Sequence, residues 1–451
     1  MISKKRMIIV DKKYDVLVIG TGGSGSNVAH LCRSAGMDVA IIDCAPFGGT
    51  CALRGCDPKK VLHGAAHILE LAGNMGKVLK GSIDVDWEKL IEFKRTFTGS
   101  VSGKREKGFK DSGIAAFKGT ASFTGRNELT VNNEKLSAEF IVIATGSTPR
   151  ELGFPGAELL TTSDVFMENT RLPKEIIFIG GGYISFELAH ISARAGAKVK
   201  ILHRSRHPLK NFDQDLVGMM LEVTSKAGIE FIPEVQPQRI EQKGEKLFID
   251  CGEKSYSCEM AVHGAGRVPN TSFLDLEKAG VDQDHGVLVN KYLQSISNPN
   301  VYAAGDAASI GQPLTPVAGM QGKTAAYNII NGNKKSMDYS LVPSVVFTIP
   351  PMGSVGLTEK QAREKGLDYR VNMADSTNWY NSRRLGLKKT GYKILIDKKT
   401  DRIIGAHILV PGAEEVLDFF MLAMKTGLRT SDIKDLIFSY PSGTYDIKYM
   451  V

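Results

Sequence analysis

Residues 15–26 read DVLVIGTGGSGS: an apolar run that breaks into glycines and then opens a helical stretch predicted to continue to about Ser34. A second apolar run, DVAIID, closes at Asp43. Strand, glycine turn, helix and strand in that order form the first half of a dinucleotide-binding unit. Gly20, Gly22 and Gly25 occupy its three glycine places. The first permits the tight turn, the second lets backbone approach a pyrophosphate, and the third lets helix pack on strand. Asp43 stands where a carboxylate accepts a ribose hydroxyl.

The pattern returns at EIIFIG, residues 175–180, followed by GGGYIS, a helix and the strand KVKILHR ending near Arg204. Gly180, Gly182 and Ser185 make this second fingerprint, a small residue sufficing at the third place. An acidic side chain at the end of that strand favours NAD, and basic groups accommodate a 2′-phosphate. Here the strand ends in His203 and Arg204, with Arg206 and Lys210 close behind and no acid before Asp213. The expected cofactor of this unit is NADPH. Between the two units, Ile114–Phe123 and Phe140–Ala144 read as strands, and HGAGRVPN at 263–270 closes the second unit. A helix is expected from about Thr315, and strands VVFTI, YKILID and IIGAHIL alternate with amphipathic helices beyond Leu341.

A chain of 451 residues is too long for one core. Hydrophobic content of 42% with 24% charged residues is ordinary for a soluble protein, and no apolar run has bilayer-spanning length. The start, MISKKRMIIVDKK, lacks the apolar core and cleavage site of a secretory signal and reads as a short leader. The expected location is cytoplasmic. The formal charge of +8 is scattered rather than gathered in a stripe, which argues against a nucleic-acid partner.

Four of the six cysteines, Cys32, Cys44, Cys251 and Cys258, lie in apolar or strand-like contexts and read as buried free thiols. The other two stand in FGGTCALRGCDPKK, residues 47–60. Cys51 and Cys56 on one regular helix would be separated by about 7.5 Å of rise, whereas a disulfide wants Cα atoms about 4.4–6.8 Å apart. The first turn must therefore be distorted, and Gly55 makes that easier. A helix N-terminus also favours thiolate, the nucleophilic form. No second Cys/His pair at ligand spacing accompanies this one, so no metal site is expected.

The pattern GGTC-x-x-x-G-C-x-P-K-K after an N-terminal dinucleotide fingerprint resembles the flavoprotein pyridine nucleotide–disulfide oxidoreductases. That family includes glutathione reductase, dihydrolipoamide dehydrogenase and mercuric reductase. Further matching stretches are ATG at 144–146, GGGYISFE at 180–187, GAGRVPN at 264–270, VYAAGDAA around Asp306, LTPVA at 314–318 and VVFTIPPMGSVGLTE at 345–359. The resemblance implies an α/β fold with two Rossmann-like dinucleotide-binding domains and a C-terminal α+β dimerisation domain. The expected parts are residues 1–149 and 271–340 for FAD, 150–270 for NADPH and 341–451 for dimerisation.

Roles follow by resemblance. Gly20, Gly22, Gly25, Asp43, Thr50, Thr145, Gly146, Asp306 and Thr315 would hold FAD. Gly180, Gly182, Tyr183, Arg204, Arg206, Lys210 and Gly266 would hold NADPH, with Tyr183 covering the nicotinamide pocket. Cys56 would lie against the flavin as the charge-transfer thiol, and Cys51 would be the interchange thiol that meets substrate. A lysine beside the flavin, either Lys59 or Lys60, would pair with Glu187. The resemblance also implies a homodimer in which each active site borrows the partner's C-terminal residues, and a small thiol or disulfide substrate.

The chain departs from the family at its C-terminus. Disulfide reductases of this kind carry a His-Pro-Thr run with a Glu five residues after the His. Here the run is Tyr440–Pro441–Ser442–Gly443–Thr444–Tyr445. A phenol, which ordinarily titrates near a pH of about 10, is a poor base at neutral pH, though it still donates a proton. The additional C-terminal cysteines of mercuric reductases and of large thioredoxin reductases are absent, since no cysteine follows Cys258. Where glutathione reductases place substrate-binding arginines, this chain has His30 and Lys323. The cluster Trp379–Tyr380–Asn381–Ser382–Arg383–Arg384 reads as a dimer surface, with a substrate-facing role as the alternative. The expected activity runs from NADPH through FAD to the Cys51–Cys56 disulfide and on to a disulfide or other thiol-reactive acceptor. Alternatives are a flavin-level quinone reductase or diaphorase and a mercuric-type metal-ion reductase.

Overall fold

The computed structural model describes residues 11–76 and 78–451. Of the basic leader, residues 1–10 lie outside the described residues, and the rest belongs to the first strand, Asp11–Ile19. The chain divides into two compact units. One takes the described residues up to Pro58 with Arg95–Arg150 and Arg267–Tyr339; the other takes Lys59–Lys94, Glu151–Gly266 and Ser340–Val451.

The first unit is built on a seven-stranded sheet. Asp11–Ile19 pairs in parallel with Val39–Asp43 on one side and Glu134–Ile143 on the other. Ala115–Lys118 extends the parallel half beyond Val39–Asp43, and Val301–Ala303 adds to the end of Glu134–Ile143. Glu128–Val131 and Ala121–Gly125 fold back as an antiparallel meander. Side chains alternate along a strand, and both faces of this sheet are covered. Val16 and Val18 thus join one apolar core with Val28, Phe109 and Ile329, while Leu17 and Ile19 join another with Phe123 and Leu274. That is why DVLVI is apolar without alternation. Helix Gly23–Ser34 lies so close to Thr315–Asn331 that a Cβ on Gly322 would sit 2.4 Å from the Ser24 carbonyl.

The stretch 114–123, expected as one strand, is two: Ala115–Lys118 and Ala121–Gly125. The break falls at Gly119, where a Cβ would meet the Asn132 amide at 2.5 Å. Cys32 and Cys258 are buried, as expected for free thiols, but Cys44 is exposed and Cys251 partly so. Cys44 follows the last residue of its strand, outside the pattern that buries its predecessors.

The second unit holds a parallel four-stranded sheet in the order Ile229–Ile232, Lys198–Leu202, Glu175–Ile179, Met260–His263. It also holds a five-stranded antiparallel sheet: Ser344–Val346, Met352–Gly356, Ile403–Leu409, Gly391–Asp397 and Tyr369–Asp375. VVFTI does not continue as a strand past Val346. The Phe347 N–H instead reaches Glu187. Helix Ala413–Thr426 covers the antiparallel sheet through Val416, Leu417 and Phe420. Lys393, buried in that sheet, binds Asp213 at 3.1 Å, Asp215 at 2.6 Å and Glu359 at 2.5 Å. Burial alone would lower its pKa, but the three carboxylates outweigh it and hold the ammonium well above its usual value. Asp213 also caps helix Gln214–Lys226. Among the described residues no helix is long and apolar enough to cross a membrane.

Two histidines of this unit are sealed in as neutral rings. His190 accepts the Ile349 N–H on Nδ1 at 3.1 Å, and burial pushes its pKa well below 6.5. His63 is pushed down to about 4, first by burial and then by Lys60. A depressed folded-state pKa adds stability that is full above the unfolded value and is lost as pH falls toward the folded one. The thermal midpoint is therefore expected to drop between about pH 6.5 and pH 5, above most carboxylate titration. His190→Gln should remove up to about 1.4 kcal/mol per pH unit of that slope. A parent midpoint that is flat over this window, followed by scanning calorimetry, would contradict the assignment.

Candidate active site

The first glycine turn leaves no room for side chains. Gly20 has φ +110°, and a Cβ there would lie 2.2 Å from the Ala144 carbonyl. A Cβ on Gly25 would lie 1.9 Å from the Gly20 carbonyl, and one on Gly49 would lie 2.5 Å from the Cα of Gly22. The turn therefore touches the start of the cysteine-bearing segment through bare backbone. Asp43 organises both. One of its oxygens accepts the Thr21 N–H at 2.8 Å and hydroxyl at 2.6 Å, the other accepts the Ala45 N–H at 2.9 Å, and the Thr21 hydroxyl accepts the Gly48 N–H at 3.0 Å. Gly305 approaches Ser24, and neighbouring Asp306 accepts the Ser147 hydroxyl at 2.8 Å. The buried Thr145 hydroxyl has no hydrogen-bond partner among the described residues, and Gly146 follows it at φ +68°. A tight glycine cradle beside an orphaned hydroxyl, at the uncapped start of helix Gly23–Ser34, fits a bound anionic nucleotide.

The cysteines lie on two helices rather than on one distorted turn. Helix Gly49–Arg54 carries Thr50 and Cys51, Gly55 breaks the chain, and Cys56 begins helix Cys56–Asn74. A Cβ on Gly55 would press to 2.9 Å on the Thr50 carbonyl and 3.2 Å on the Cα of Cys51. Both side chains are thiols rather than a disulfide; Cys51 is partly buried and Cys56 exposed. The Cys56 sulfur lies 3.5 Å from the Thr315 hydroxyl, and the Cys51 sulfur 3.9 Å from a carboxylate oxygen of Asp57. A hydrogen bond with Cys56, then burial, pushes the Cys51 thiol up, against a smaller opposing pull from Thr315. The thiolate expected from the helix N-terminus is thus overturned for Cys51. Its helix has only six residues, and its nearest neighbours are a thiol and a carboxylate.

In the second unit, Gly180 has φ +115° and a Cβ there would lie 2.2 Å from the Gly264 carbonyl. Gly182 precedes helix Tyr183–Arg194, whose first residue Tyr183 is exposed. Ser185 is buried with its hydroxyl unpartnered among the described residues. The strand expected through Arg204 ends at Leu202. Nδ1 of His203 accepts the Gly181 N–H at 3.0 Å, and the Leu209 N–H returns to the Gly181 carbonyl at 3.0 Å. The loop between is pinned to the turn and leaves Arg204, Arg206 and Lys210 exposed, as is Gly266. The sequence reading named His203 only as the end of the strand and gave it no role, yet a signal was there: it follows Gly180 by the interval that separates Asp43 from Gly20, and it takes the matching N–H.

Lys59 and Lys60, inseparable in sequence, part company here. Lys59 binds Glu187 at 2.8 Å with both side chains largely buried, whereas Lys60 binds Glu414 at 2.9 Å in a more open setting. The other Glu187 oxygen accepts the Phe347 N–H at 2.9 Å. At the C-terminus Tyr440 is exposed and stacks edge-on to Tyr445 with centroids 4.8 Å apart. Lys448 sits 3.7 Å from the Tyr445 ring centroid, and its hydrogen bond, followed by that of Tyr449, pulls the Tyr445 phenol down. Asn381, buried, donates to the Ser442 carbonyl at 2.8 Å and to Asp446 at 2.9 Å, and Trp379 packs on Tyr392 and Tyr449. Part of the 379–384 cluster therefore scaffolds the C-terminal turn.

A glycine cradle, a cysteine pair and a second glycine turn in this order define a class, and the chain belongs to the pyridine nucleotide–disulphide oxidoreductase family. The family domain matches residues 14–322 and its dimerisation domain residues 342–451. Such proteins are flavoenzymes that use a pyridine nucleotide and a redox-active disulfide. Among particular relatives, a mercuric reductase of Staphylococcus aureus is 32% identical over 95% of this chain and 80% of its own length. A glutathione reductase of a Nostoc species is 30% identical over 97% of this chain and 99% of its own. Among solved structures, the Cu(II) complex of the HOCl-induced flavoprotein disulfide reductase RclA from Escherichia coli superposes with TM-score 0.89 at 26% identity, covering 97% of this chain and 99% of that one.

The cradle supplies a direct test. Gly25→Ala should cut the flavin retained through purification at least about fivefold, since overpacking at such contacts costs about 1–3 kcal/mol. Gly23→Ala, at a position with open space, should retain it. Flavin absorbance per protein is the measurement, and equal loading of the two chains would refute the fit.

Proposed function

We propose that this chain is an FAD- and NADPH-dependent reductase whose Cys51–Cys56 pair delivers electrons to thiol-reactive acceptors that need no base: thiophilic metal ions, or disulfides with acidic leaving thiols. The carrying observation is the pair itself. Two thiols meet at a helix break, one partly buried and one exposed, and by resemblance the exposed Tyr440 takes the place of the family's basic His. Two of the similar proteins support the metal arm, one being named a mercuric reductase and the other solved as a Cu(II) complex.

FAD, when bound, supplies a carrier that accepts two electrons from the nicotinamide and returns the disulfide to the dithiol. Gly20, Gly22, Gly25, Thr50, Thr145, Gly146, Asp306 and Thr315 would hold it, with Asp43 bracing the turn. Gly180, Gly182, Tyr183, Gly266 and the loop from Arg204 to Lys210 would hold NADPH. With a disulfide, the Cys51 thiolate displaces one acidic thiolate to form a mixed disulfide, and Cys56 displaces the second as the Cys51–Cys56 disulfide reforms. A thiophilic metal ion held by the two thiolates takes the two electrons they release on closing to that disulfide. Lys59, one turn beyond Cys56 and braced by Glu187, favours the Cys56 thiolate. Residues 1–149 and 271–340 form the FAD domain, 150–270 the NADPH domain and 341–451 the dimer domain. The working enzyme is a cytoplasmic homodimer that shares active sites and binds neither nucleic acid nor membrane.

Because the Cys51 thiol is pushed up, its reactive form is scarce at neutral pH, and turnover of an aryl disulfide should rise from about pH 7 to pH 9. Tyr440→Phe should slow that acceptor no more than a few-fold, below the factor of about 100 or more typical of losing a general base. Rapid glutathione disulfide turnover that collapses in Tyr440→Phe would overturn this reading.

Cofactor choice is tested separately. Replacing Arg204 and Lys210 together by Gln should raise KM for NADPH about tenfold, the worth of one charged hydrogen bond, and barely move that for NADH. Equal kcat/KM for the two cofactors in the parent would contradict the NADPH assignment.

A further inference from the structure

Two adjacent lysines follow Cys56 near the start of its helix, yet only Lys59 reaches Glu187. Consecutive helical residues point about 100° apart, so either ammonium on its long stem can sample the space around that carboxylate. Phe347 stands between them. Its ring centroid lies 4.5 Å from Lys59 Nζ and 3.7 Å from Lys60 Nζ, both within cation–π range. Its N–H occupies one Glu187 oxygen at 2.9 Å, leaving the other to Lys59 at 2.8 Å. The His63 ring meets the Phe347 ring edge-on at 5.9 Å, and Glu414 draws Lys60 away. Apolar burial does not account for this side chain. Val346 and Ile349 on either side belong to the core, whereas Phe347 stays partly exposed with charges on its ring.

We propose that Phe347 is a positioning residue, whose N–H and ring together select Lys59 over Lys60 as the partner of Glu187 and so fix the cation one turn from Cys56. The inference deepens the reading of Lys59 given above and rests on it. The charged and titratable groups around the first turn are Asp57, Lys59 and Lys60 on the helix itself, then His63 and His67 on the next turns, with Glu187 and Glu414 opposite.

The test uses the flavin-loaded full chain in a Cys51→Ser background, with alkylation of Cys56 followed against pH by peptide mass spectrometry. Loss of an oriented cation raises a thiol pKa, so Phe347→Leu should move the alkylation midpoint up by about half a pH unit to one unit. Pulse acylation should label Lys59 several-fold faster in that chain. Phe347→Tyr keeps an aromatic face and should restore both values, which a merely space-filling role would not require. If Phe347→Leu does not fold, Phe347→Met fills the volume without a ring face and serves for the same two measurements. Should Lys59→Gln leave the midpoint unmoved, the reading of Lys59 fails and takes this proposal with it. If Lys59→Gln shifts the midpoint and the ring-less chain does not, or if Phe347→Tyr is as shifted as Phe347→Leu, the role of Phe347 alone is overturned.

Discussion

A carboxylate as deeply buried as Glu187 is intolerable without compensation, because its desolvation outweighs any single neutral contact. Lys59 supplies the opposite charge and the Phe347 N–H supplies a hydrogen bond, so one oxygen is satisfied by each. Satisfying that one charge ties together three parts of the second unit: the cysteine-bearing helix from Lys59 onward, helix Tyr183–Arg194 and the chain leaving strand Ser344–Val346. Stripping either partner leaves a buried charge exposed to the full penalty, about 3–5 kcal/mol for a broken buried pair. The pair is thus weak evidence for stability and strong evidence for placement, since both carboxylate oxygens are satisfied where it stands.

The two glycine turns show how one backbone problem accepts two chemistries. Each turn leaves an N–H just after its first glycine that needs an acceptor from the end of the next strand. Asp43 does this with a carboxylate whose second oxygen braces the neighbouring chain, and His203 does it with a ring nitrogen. A neutral imidazole brings no negative charge to the second turn, and burial, more than nearby Lys210 and Arg204, keeps it neutral. The surrounding loop is accordingly free to be basic.

The parallel cores were legible because strands buried on both faces must be continuously apolar, and the glycine spacing left little choice of turn. The helix start near Thr315 and the cysteine pair were legible for the same reason: local constraints act on neighbouring residues. What stayed hidden depends on contacts across long sequence separations. Nothing in KK says that Phe347, nearly 300 residues away, sits between the two ammoniums. The aromatic-basic run at 379–384 read as a surface because sequence does not show that Asn381 is buried under the C-terminal turn. Lys448 pairs with Tyr445, which lies in the turn just before the last helix, rather than with Tyr440. The thiolate expected at Cys51 failed because a hydrogen bond with Cys56 and then burial, neither visible in the spacing alone, push that thiol up.

The knot around Lys393 bears on how such enzymes exchange parts over evolutionary time. Its ammonium belongs to the antiparallel sheet, and two of its three carboxylates, Asp213 and Asp215, arrive from the start of helix Gln214–Lys226. A chimera that imported this segment from a relative without those acids would leave a buried cation with Glu359 alone. Recombination at this seam is therefore filtered by charge matching before any question of cofactor preference arises, and the two segments are expected to be inherited together.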